Sequence, residues 1–458
     1  MVKAIIEDLE NVIGKSYVIS ERGRMEDYLV DETAEPVRPQ SAKELVLVKP
    51  ANTQDVSAIL KLANKNKIPV FPRGSGTGLV GGAIPTERGI ILSMERMDKI
   101  EIDRENLMAV AEAGLTLEKL LSSVYEAGLL FPLHPGDETA QIGGLTATNA
   151  GGSRAVKYGV MRNYVKGMDV VLSTGEVLRL GGKIQKNNVG YDLMQLIMGS
   201  EGTLAVITKV ILRLYPKLGA TATLIAPFKS RHDALNTVPK ILQDGRMPLA
   251  IEYTEKDLME KTAKSIGETW PAKEGNFYLL IIVAESNEDQ VLSESLKISE
   301  ICKENGSFEP LFAEPGDEQE RILRIRSNIY SALKTNTADI LDVTVPPANI
   351  GKLIDAVDEI AKKYKTYIPA YGHAADGNLH PHIMKEGKGI EFIEKLREEI
   401  YKVTLELDGV ITGEHGIGKV RVESLGLYID EKELELMRKI KKIFDPNNIL
   451  NPGAKIKI

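Results

Sequence analysis

The spacing of apolar residues predicts the first elements of the chain. Residues 44–50, ELVLVKP, are apolar and β-branched and predict a strand. Residues 55–67, DVSAILKLANKNK, carry apolar side chains at helical spacing, and residues 68–71, IPVF, predict a second strand. This pattern indicates that the chain begins with an α/β layer.

The rest of the pattern divides the chain into three parts. Up to about residue 216 the chain is rich in glycine, with short apolar strands such as GIILSM and TLAVITKVILRLYP between turns. Residues 217–395 alternate predicted strands, TATLIAPF and FYLLIIVAES, with predicted helices, DALNTVPKILQDG and QVLSESLKISEICKEN. We therefore expect an α+β fold with domains at 1–216 and 217–395, and a C-terminal helical segment, 396–458, that packs back on the first domain.

Composition excludes several classes of protein. The chain has 458 residues, of which 43% are hydrophobic and 27% charged, as in folded globular proteins. Its net charge of −7 argues against nucleic acid as a partner. The single cysteine, Cys302, excludes an intrachain disulfide and an iron–sulfur cluster held by four thiolates. No signal peptide or spanning helix is predicted, so we expect a cytoplasmic protein whose contact with membranes, if any, is peripheral.

A glycine-rich segment resembles a dinucleotide-binding loop at first inspection. Residues 72–85, PRGSGTGLVGGAIP, place Gly76, Gly78 and Gly81 at the GxGxxG spacing. A Rossmann loop needs a helix directly after it, but GGAIPTERG leads straight to a predicted strand. The glycines still allow the backbone to approach a phosphate and turn several N–H groups toward it. The segment is therefore either a diphosphate site outside the Rossmann fold or a plain loop between strands.

Further motifs point to one family. Residues 134–153, HPGDETAQIGGLTATNAGGS, and residues 199–203, GSEGT, are also glycine-rich. With PRGSGTGL, YGVMRNYVKGMDVVLSTGEVL and GSEGTLAVITKV, they resemble the FAD domain of the vanillyl-alcohol-oxidase, or PCMH-type, flavoproteins. The resemblance covers nearly the whole chain and implies a two-part FAD-binding domain plus an antiparallel-sheet substrate, or cap, domain. FAD should be bound non-covalently, because the first glycine loop has no histidine; His134 is the alternative point of attachment.

The resemblance also implies which residues contact FAD. Residues 73–78 would wrap the pyrophosphate, residues 135–152 would follow the diphosphate, ribityl chain and flavin ring, and Ile207 would lie near the adenine. The segment NPGAKI, which contains Asn451, departs slightly from the NPGK of the family. The implied set is Arg73, Gly74, Ser75, Gly76, Thr77, Gly78, Gly82, Pro135, Gly136, Asp137, Thr139, Ile142, Gly143, Gly144, Thr148, Asn149, Gly152, Glu201, Gly202, Ile207 and Asn451.

Histidines cluster in the C-terminal third. The segment YIPAYGHAADGNLHPHIM predicts two strands around the turn Asp376-Gly377. That turn would pair residue 375 with 378, 374 with 379 and His373 with His380, whose Cβ atoms would then be about 5 Å apart. His382 continues the same face, because side chains alternate along a strand.

Such a face suits a divalent metal. Two opposed imidazoles provide nitrogen ligands, and Glu414 of GEHGIGK could add a hard oxygen ligand and leave positions open. The alternative is a pair of histidines that are hydrogen-bonded across a hairpin without a metal.

GHAADGNLHPH and GEHGIGK resemble the two C-terminal signatures of the D-lactate, glycolate and D-2-hydroxyglutarate dehydrogenase branch. The resemblance implies that His373, His380 and Glu414 bind the metal, with zinc favoured over iron(II) or manganese(II), and that His415 is the general base.

The segment ILRIRSNIYSAL resembles the family's helix that carries an arginine for the substrate carboxylate. Arg326 is the candidate, since a planar guanidinium binds a carboxylate through two hydrogen bonds, with Arg321 and Arg324 as alternatives. Ile340 and His382 stand where the 2-hydroxyglutarate branch has lysine and asparagine. Both changes favour a small acid, D-lactate or glycolate, over a dicarboxylate, with His382 beside the substrate.

The resemblance therefore implies an FAD-dependent dehydrogenase that converts a small D-2-hydroxy acid to a 2-oxo acid, with metal-assisted activation of the hydroxyl. No haem or cluster motif is present, so the electrons should pass to an external acceptor: an electron-transferring flavoprotein, an iron–sulfur subunit, a quinone or a cytochrome. The alternatives are a D-2-hydroxyglutarate dehydrogenase, an ether-forming transferase of the same superfamily, and a flavin-carrying subunit of a complex. A homodimer is compatible with the sequence.

Overall fold

A computed structural model describes residues 5–313 and 316–458. Within these ranges the α-helices are α1 (Ile6–Ile13), α2 (Thr53–Asn66), α3 (Leu117–Glu126), α4 (Ile142–Thr148), α5 (Ala155–Tyr158), α6 (Met161–Tyr164), α7 (Leu193–Ile197), α8 (Arg231–Gln243), α9 (Lys256–Ser265), α10 (Glu288–Glu304), α11 (Asp317–Ser327), α12 (Ile329–Lys334), α13 (Ile350–Tyr364), α14 (Ile390–Glu406), α15 (Leu425–Tyr428) and α16 (Glu431–Phe444). Short 3-10 helices cover Lys15–Tyr17, Arg22–Arg24, Glu26–Tyr28, Glu35–Val37, Pro347–Asn349 and Val422–Ser424.

The strands of the same ranges are β1 (Val18–Ile19), β2 (Leu45–Val48), β3 (Val70–Arg73), β4 (Gly89–Ser93), β5 (Ile100–Asp103), β6 (Met108–Glu112), β7 (Leu129–Leu130), β8 (Val165–Val171), β9 (Val177–Gly181), β10 (Val206–Arg213), β11 (Tyr215–Pro216), β12 (Ala220–Phe228), β13 (Ala250–Glu255), β14 (Phe277–Glu285), β15 (Leu311–Ala313), β16 (Thr337–Ile340), β17 (Val343–Thr344), β18 (Ala370–His373) and β19 (Asn378–Met384). The strands and helices that the apolar spacing predicts are all present.

The first layer is a four-stranded sheet in the order β1-β2-β4-β3, and β2, β4 and β3 run parallel. All four residues of β2 are buried, as expected for a parallel strand covered on both faces. Helix α2, which connects β2 to β3, begins where the Asn52 side chain accepts a hydrogen bond from Asp55 N, and ends at Lys67 in the left-handed conformation. The predicted strand–helix–strand start is confirmed.

A five-stranded antiparallel sheet, β5-β6-β10-β8-β9, completes the N-terminal half. Residues alternate between buried and partly exposed along the second half of its central strand, β10. In this fully described part of the chain, β3 leads to β4 without an intervening helix, so the expected absence of a Rossmann helix is confirmed.

The C-terminal half is built on an eight-stranded antiparallel sheet, β15-β12-β14-β13-β18-β19-β16, with β17 also paired to β19. Alternate side chains of its central strands enter two different cores. Leu279 and Ile281 pack with α8, α10, α13 and α14, whereas Tyr278 and Leu280 pack with α9, α11 and α12. Both faces are therefore covered, which explains why β14 is a continuous apolar run.

The last residues of the chain return to the first sheet. Val70 N donates to Ile449 O (2.7 Å) and Asn451 N donates to Val70 O (2.8 Å), so this segment runs beside β3. Within residues 396–458 the contacts are divided, because Ile449 and Leu450 join the N-terminal core while Tyr401 and residues such as Leu434 join the C-terminal core. The boundaries at 216 and 395, and the separate helical segment, stay predictions.

The α+β class and the antiparallel second sheet are confirmed. Among the helices of residues 5–313 and 316–458, not one combines the length and the apolar character needed to cross a membrane.

Candidate active site

A cavity of about 800 Å³ lies between the glycine loops of the N-terminal half and the sheet of the C-terminal half. Most residues proposed from the sequence line it: Arg73, Gly74, Ser75, Gly76, Thr77, Gly78, Gly82, Pro135, Gly136, Asp137, Gly143, Gly144, Thr148, Glu201, Gly202, Ile207, Arg326, His373, His380, Glu414 and His415. Tertiary structure thus brings motifs separated by more than 300 residues to one space.

Residues 73–78, the glycine cradle, form one wall of the cavity. Gly76 has φ +79°, and a Cβ built there would lie 2.2 Å from Arg73 Nη2, so no other residue fits without displacing Arg73. Arg73 donates through Nη2 to Asp27 O (2.7 Å), while its buried Nη1 has no partner among the described residues. Burial lowers the pKa of this guanidinium. A buried cation beside side-chain-free backbone fits an anionic diphosphate.

Five residues of the implied flavin set do not line the cavity but shape its walls: Thr139, Ile142, Asn149, Gly152 and Asn451. Thr139 O accepts a hydrogen bond from Ser75 Oγ, and Asn149 Oδ1 accepts one from Arg162 N. Ile142 N donates to Leu115 O, and a Cβ at Gly152 would lie 2.0 Å from His134 O. Their contact with FAD stays a prediction.

Glu201 and Asn451 connect the motifs. The Glu201 carboxylate accepts hydrogen bonds from Ile417 N (2.9 Å) and Gly418 N (2.6 Å), which joins GSEGT to GEHGIGK. Asn451 Nδ2 donates to Gly82 O and Glu201 O. These bonds hold the glycine loops next to the histidines.

The predicted hairpin is present, but its predicted register is wrong. His373 is opposite Asn378, and His380 is opposite Tyr371, so a four-residue loop replaces the two-residue turn. A type I′ turn requires positive φ at both central residues, and here only Gly377, not Asp376, has it. His373 and His380 are therefore diagonal neighbours rather than directly opposite. Because the shift is two residues, they still share one face, with ring centroids 5.3 Å apart.

The histidines converge on Glu414. Its Oε1 lies 3.6 Å from His373 Nε2, 3.6 Å from His380 Nε2 and 3.8 Å from His415 Nε2. The rings of His380 and His415 are stacked, with centroids 5.1 Å apart. We call these four residues, together with Asp342, the histidine–carboxylate cluster.

The cluster fits a divalent cation. Ligand atoms of Asp342, His380, Glu414 and His415 lie within 4.8 Å of one another, and His373 approaches the same Glu414 oxygen. Two ligands bound at zinc distances in tetrahedral geometry would be about 3.4 Å apart, close to the observed 3.6 Å. The ring atoms His380 Nδ1 and His415 Nδ1 are buried without a hydrogen-bond partner in the described residues. Mixed imidazole and carboxylate donors suit zinc, iron(II) or manganese(II).

Asp342, which the sequence analysis did not select, organises the cluster. Its Oδ2 accepts hydrogen bonds from Glu414 N (2.8 Å), His415 N (2.8 Å) and Thr412 Oγ1, and its Oδ1 accepts one from Asn378 Nδ2 (2.8 Å). Burial alone would raise the pKa of Asp342, but His415 and these donors lower it. The Asp342 carboxylate thus holds the segment GHAADGNLHPH, through Asn378, and the segment GEHGIGK, through Glu414 and His415, in place.

Glu252 is the second residue that sequence reasoning missed. Its carboxylate is paired with Arg326 through Nη2 and with His373 through Nδ1 (2.6 Å). Burial favours the neutral form, but Arg326 and His373 outweigh it and bring the pKa of Glu252 down to about 2. Its position between Ile251 and Tyr253 was the available signal, because an acid within an apolar strand is costly unless it is paired.

Arg326 is distinguished from the two alternative arginines. Its side chain is 14% exposed and lines the cavity. Arg321 and Arg324 are 38% and 54% exposed and are ion-paired with Glu318 and Glu268.

His382 and His134 differ in their access to the cavity. His382 is fully buried outside the cavity lining, with Nδ1 2.9 Å from Thr337 Oγ1 and its ring stacked on Tyr371. Contact between His382 and a substrate stays a prediction. His134 lines the cavity, where burial and Arg154 lower its pKa to about 4.

Comparison with known proteins agrees with this arrangement. Residues 45–181 match the family described as FAD binding domain, and residues 218–454 match FAD linked oxidases, C-terminal domain. The D-lactate dehydrogenase of Archaeoglobus fulgidus is 44% identical over 431 residues, or 94% of this chain and 95% of that protein. The glycolate oxidase subunit GlcD of Bacillus subtilis is 36% identical, and the alignment covers 98% of this chain and 96% of that subunit.

A solved structure supports the fold. P-cresol methylhydroxylase with substrate bound superimposes with a TM-score of 0.81 at 19% identity, over 100% of this chain and 97% of that one. The predicted PCMH-type architecture is therefore confirmed, and the sequence matches settle the family. This chain belongs to the FAD-linked oxidases and is an FAD-linked oxidoreductase of that family.

Proposed function

We propose that the protein is an FAD-dependent dehydrogenase that oxidises a small D-2-hydroxy acid, D-lactate or glycolate, to the 2-oxo acid and passes the electrons to an external acceptor. The observation that carries the proposal is that one cavity is lined by the glycine cradle, by Arg326, and by His373, His380, Glu414 and His415 of the histidine–carboxylate cluster. The names of the Archaeoglobus and Bacillus relatives support the substrate class.

Each group has a distinct role. FAD, held by the glycine cradle and the 134–153 segment, would accept the two electrons released at the substrate's C2 carbon. A cation held by His373, His380 and Glu414 would acidify the substrate hydroxyl, as bound zinc lowers the pKa of water from about 15.7 to about 7. Arg326 binds the substrate carboxylate and fixes its position in the cavity.

His415 is the proposed general base. Its Nε2 lies 3.8 Å from Glu414 Oε1, the oxygen that His373 and His380 also face. The hydrogen bond from His415 N to Asp342 fixes the backbone, and the stack on His380 fixes the ring. Nε2 can therefore accept the hydroxyl proton without a large movement of the side chain.

Two residues of the cavity wall support a short substrate with one carboxylate. Ile340 and Tyr371 line the cavity, with the Tyr371 ring 4.9 Å from the Arg326 guanidinium, and neither side chain offers a cation for a second carboxylate. Lys334, which also lines it, is ion-paired with Glu32. Arg154 lines the cavity as well, next to His134. The proposal of a monocarboxylate over D-2-hydroxyglutarate therefore rests on Ile340 in place of the lysine of the 2-hydroxyglutarate branch.

The test is an anaerobic visible spectrum of the flavin-loaded, metal-supplemented protein, titrated with D- and L-lactate, glycolate and D-2-hydroxyglutarate. Bleaching of the flavin band by D-lactate or glycolate, and weaker bleaching by D-2-hydroxyglutarate, is expected. A bound flavin that none of the acids reduces would reject the dehydrogenase in favour of a transferase or a subunit that needs its complex.

A further inference from the structure

Glu252 contacts both halves of the candidate active site. Strand β13 places it directly opposite His373 of β18, and Oε1 lies 2.6 Å from His373 Nδ1. Its other oxygen, Oε2, accepts from Arg326 Nη2 of helix α11. A single carboxylate therefore touches the proposed metal-binding histidine and the proposed carboxylate-binding arginine.

The strand fixes this orientation. Ile251 and Tyr253 point into the core formed with α8, α10, α13 and α14, so the intervening Glu252 must point to the other face, toward the cavity. Glu252 is only 3% exposed, and a carboxylate that is so deeply buried needs charged hydrogen-bond donors for its oxygens. Both donors come from the site.

Both partners are oriented by the contact. Because Nδ1 of His373 is occupied by Glu252, Nε2 is the ring atom left to face Glu414, 3.6 Å away. The guanidinium of Arg326 is held between Glu252 and the Tyr371 ring, 4.9 Å from its centroid, and its buried Nε has no partner within the described part of the chain. Glu252 therefore sets the orientation of the remaining N–H donors of the Arg326 guanidinium.

A second acid on the same strand differs in its surroundings. Glu255 is also paired with an arginine, Arg231 (2.8 Å), but neither residue lines the cavity. The buried pair of Asp339 with Arg421 is likewise outside the cavity lining. Burial and pairing with arginine thus occur elsewhere, and what is particular to Glu252 is that both of its partners face the site.

We infer that Glu252 is a positioning residue that couples cation binding at His373 to carboxylate binding at Arg326. The inference rests on the proposed function. It predicts that one substitution at Glu252 weakens two separate binding events, that of the cation and that of the substrate carboxylate. Removal of the carboxylate partner of a metal-binding histidine commonly weakens metal binding by about 10- to 100-fold.

The experiment compares the full-length flavin-loaded protein with Glu252→Gln, Glu252→Asp and the control Glu255→Gln. Glutamine keeps the shape, but its amide NH₂ would face one of the two donors. Zn²⁺ and Mn²⁺ affinities are measured by chelator competition, FAD content by absorbance, and KM and kcat with D-lactate. For Glu252→Gln we expect metal affinity to fall about 10- to 100-fold, KM to rise and FAD content to remain unchanged.

Glu252→Asp keeps the charge but is too short to reach both partners, so it should lie between wild type and Glu252→Gln in both affinities. It also decides the matter if Glu252→Gln does not fold. Glu255→Gln should match wild type in all three measurements. Wild-type metal affinity in Glu252→Gln, or in Glu252→Asp if that is the folded variant, would overturn the inference, as would an unchanged KM. A wild-type protein that neither binds metal nor is reduced by D-lactate would instead reject the proposed function.

Discussion

At the scale of single residues, helix α11 carries three arginines that are candidates for binding the substrate carboxylate, and the three differ in their surroundings. Arg326 faces the cavity, whereas Arg324 is half-exposed and paired with Glu268. The sequence could not make this choice, because all three arginines lie within six residues of one helix and its packing decides which of them is buried.

Arg326→Lys should raise KM for D-lactate by about 10- to 100-fold, the equivalent of losing roughly 1.5–3 kcal/mol of hydrogen bonding to a charged group. Lysine keeps the charge but not the planar pair of donors. Steady-state kinetics provide the measurement, with Arg324→Lys as the matched control on the same helix. Equal KM values for the two variants would show that Arg326 is not the anchor.

His415→Asn should lower kcat by about 10²- to 10⁴-fold, the usual contribution of a general base, while FAD stays bound. Asparagine has no basic nitrogen for the hydroxyl proton. The control is His232→Asn, since His232 is exposed and ion-paired with Asp355 away from the cavity. Rapid-mixing measurement of flavin reduction isolates the chemical step, and reduction at the wild-type rate would exclude His415 as the base.

At the scale of elements, two loops show what local chemistry does and does not determine. The conformation of the glycine cradle follows from its sequence. Gly76 has φ +79° and lies beside the buried Arg73, and glycine is the residue that tolerates both conditions. The hairpin does not follow in the same way. Ala374 N donates to Ile251 O (2.8 Å), so pairing with β13 extends past His373 and competes with the two-residue turn.

Gly76→Ala should reduce FAD content. The added Cβ would lie 2.2 Å from Arg73 Nη2, and every 1.4 kcal/mol of resulting distortion weakens FAD binding about 10-fold. Gly387→Ala is the control: Gly387 also has positive φ (+68°), but its Cβ would meet nothing within 4 Å, so only the backbone strain is tested. FAD content is measured on the purified protein as the ratio of flavin absorbance, at about 450 nm, to protein absorbance, at about 280 nm. Equal FAD loss in both variants would indicate backbone strain rather than displacement of Arg73.

At the scale of the whole molecule, a buried ion network holds the motif GEHGIGK and helix α14 against the large sheet. Asp339 of β16 accepts hydrogen bonds from Arg397 of α14 (3.0 Å) and from Arg421 (2.7 Å), which lies six residues after His415. Neighbouring acids, above all Asp339, outweigh burial and raise the pKa of Arg421. The network therefore connects elements that are more than 80 residues apart in sequence.

Asp339→Asn should lower the free energy of unfolding by about 3–5 kcal/mol, because two buried arginines lose a charged partner. Glu399→Gln removes a surface pair with Lys363, and we expect it to change stability by no more than about 1 kcal/mol. Thermal unfolding followed by circular dichroism compares the two variants. Similar midpoints would mean that the buried network contributes no more than a surface ion pair.

The sequence by itself determined the α+β class, the α/β start, the glycine loops without a Rossmann helix, and the placement of His373, His380 and His382 on one face. These features depend on periodicity and turn chemistry within a few residues. Tertiary structure alone decided the diagonal register of the histidines, the exposure of Arg326 to the cavity, and the contacts of Asp342 and Glu252. Such features depend on which distant strand or helix packs beside a residue, and a buried charge finds its partner only when those elements meet.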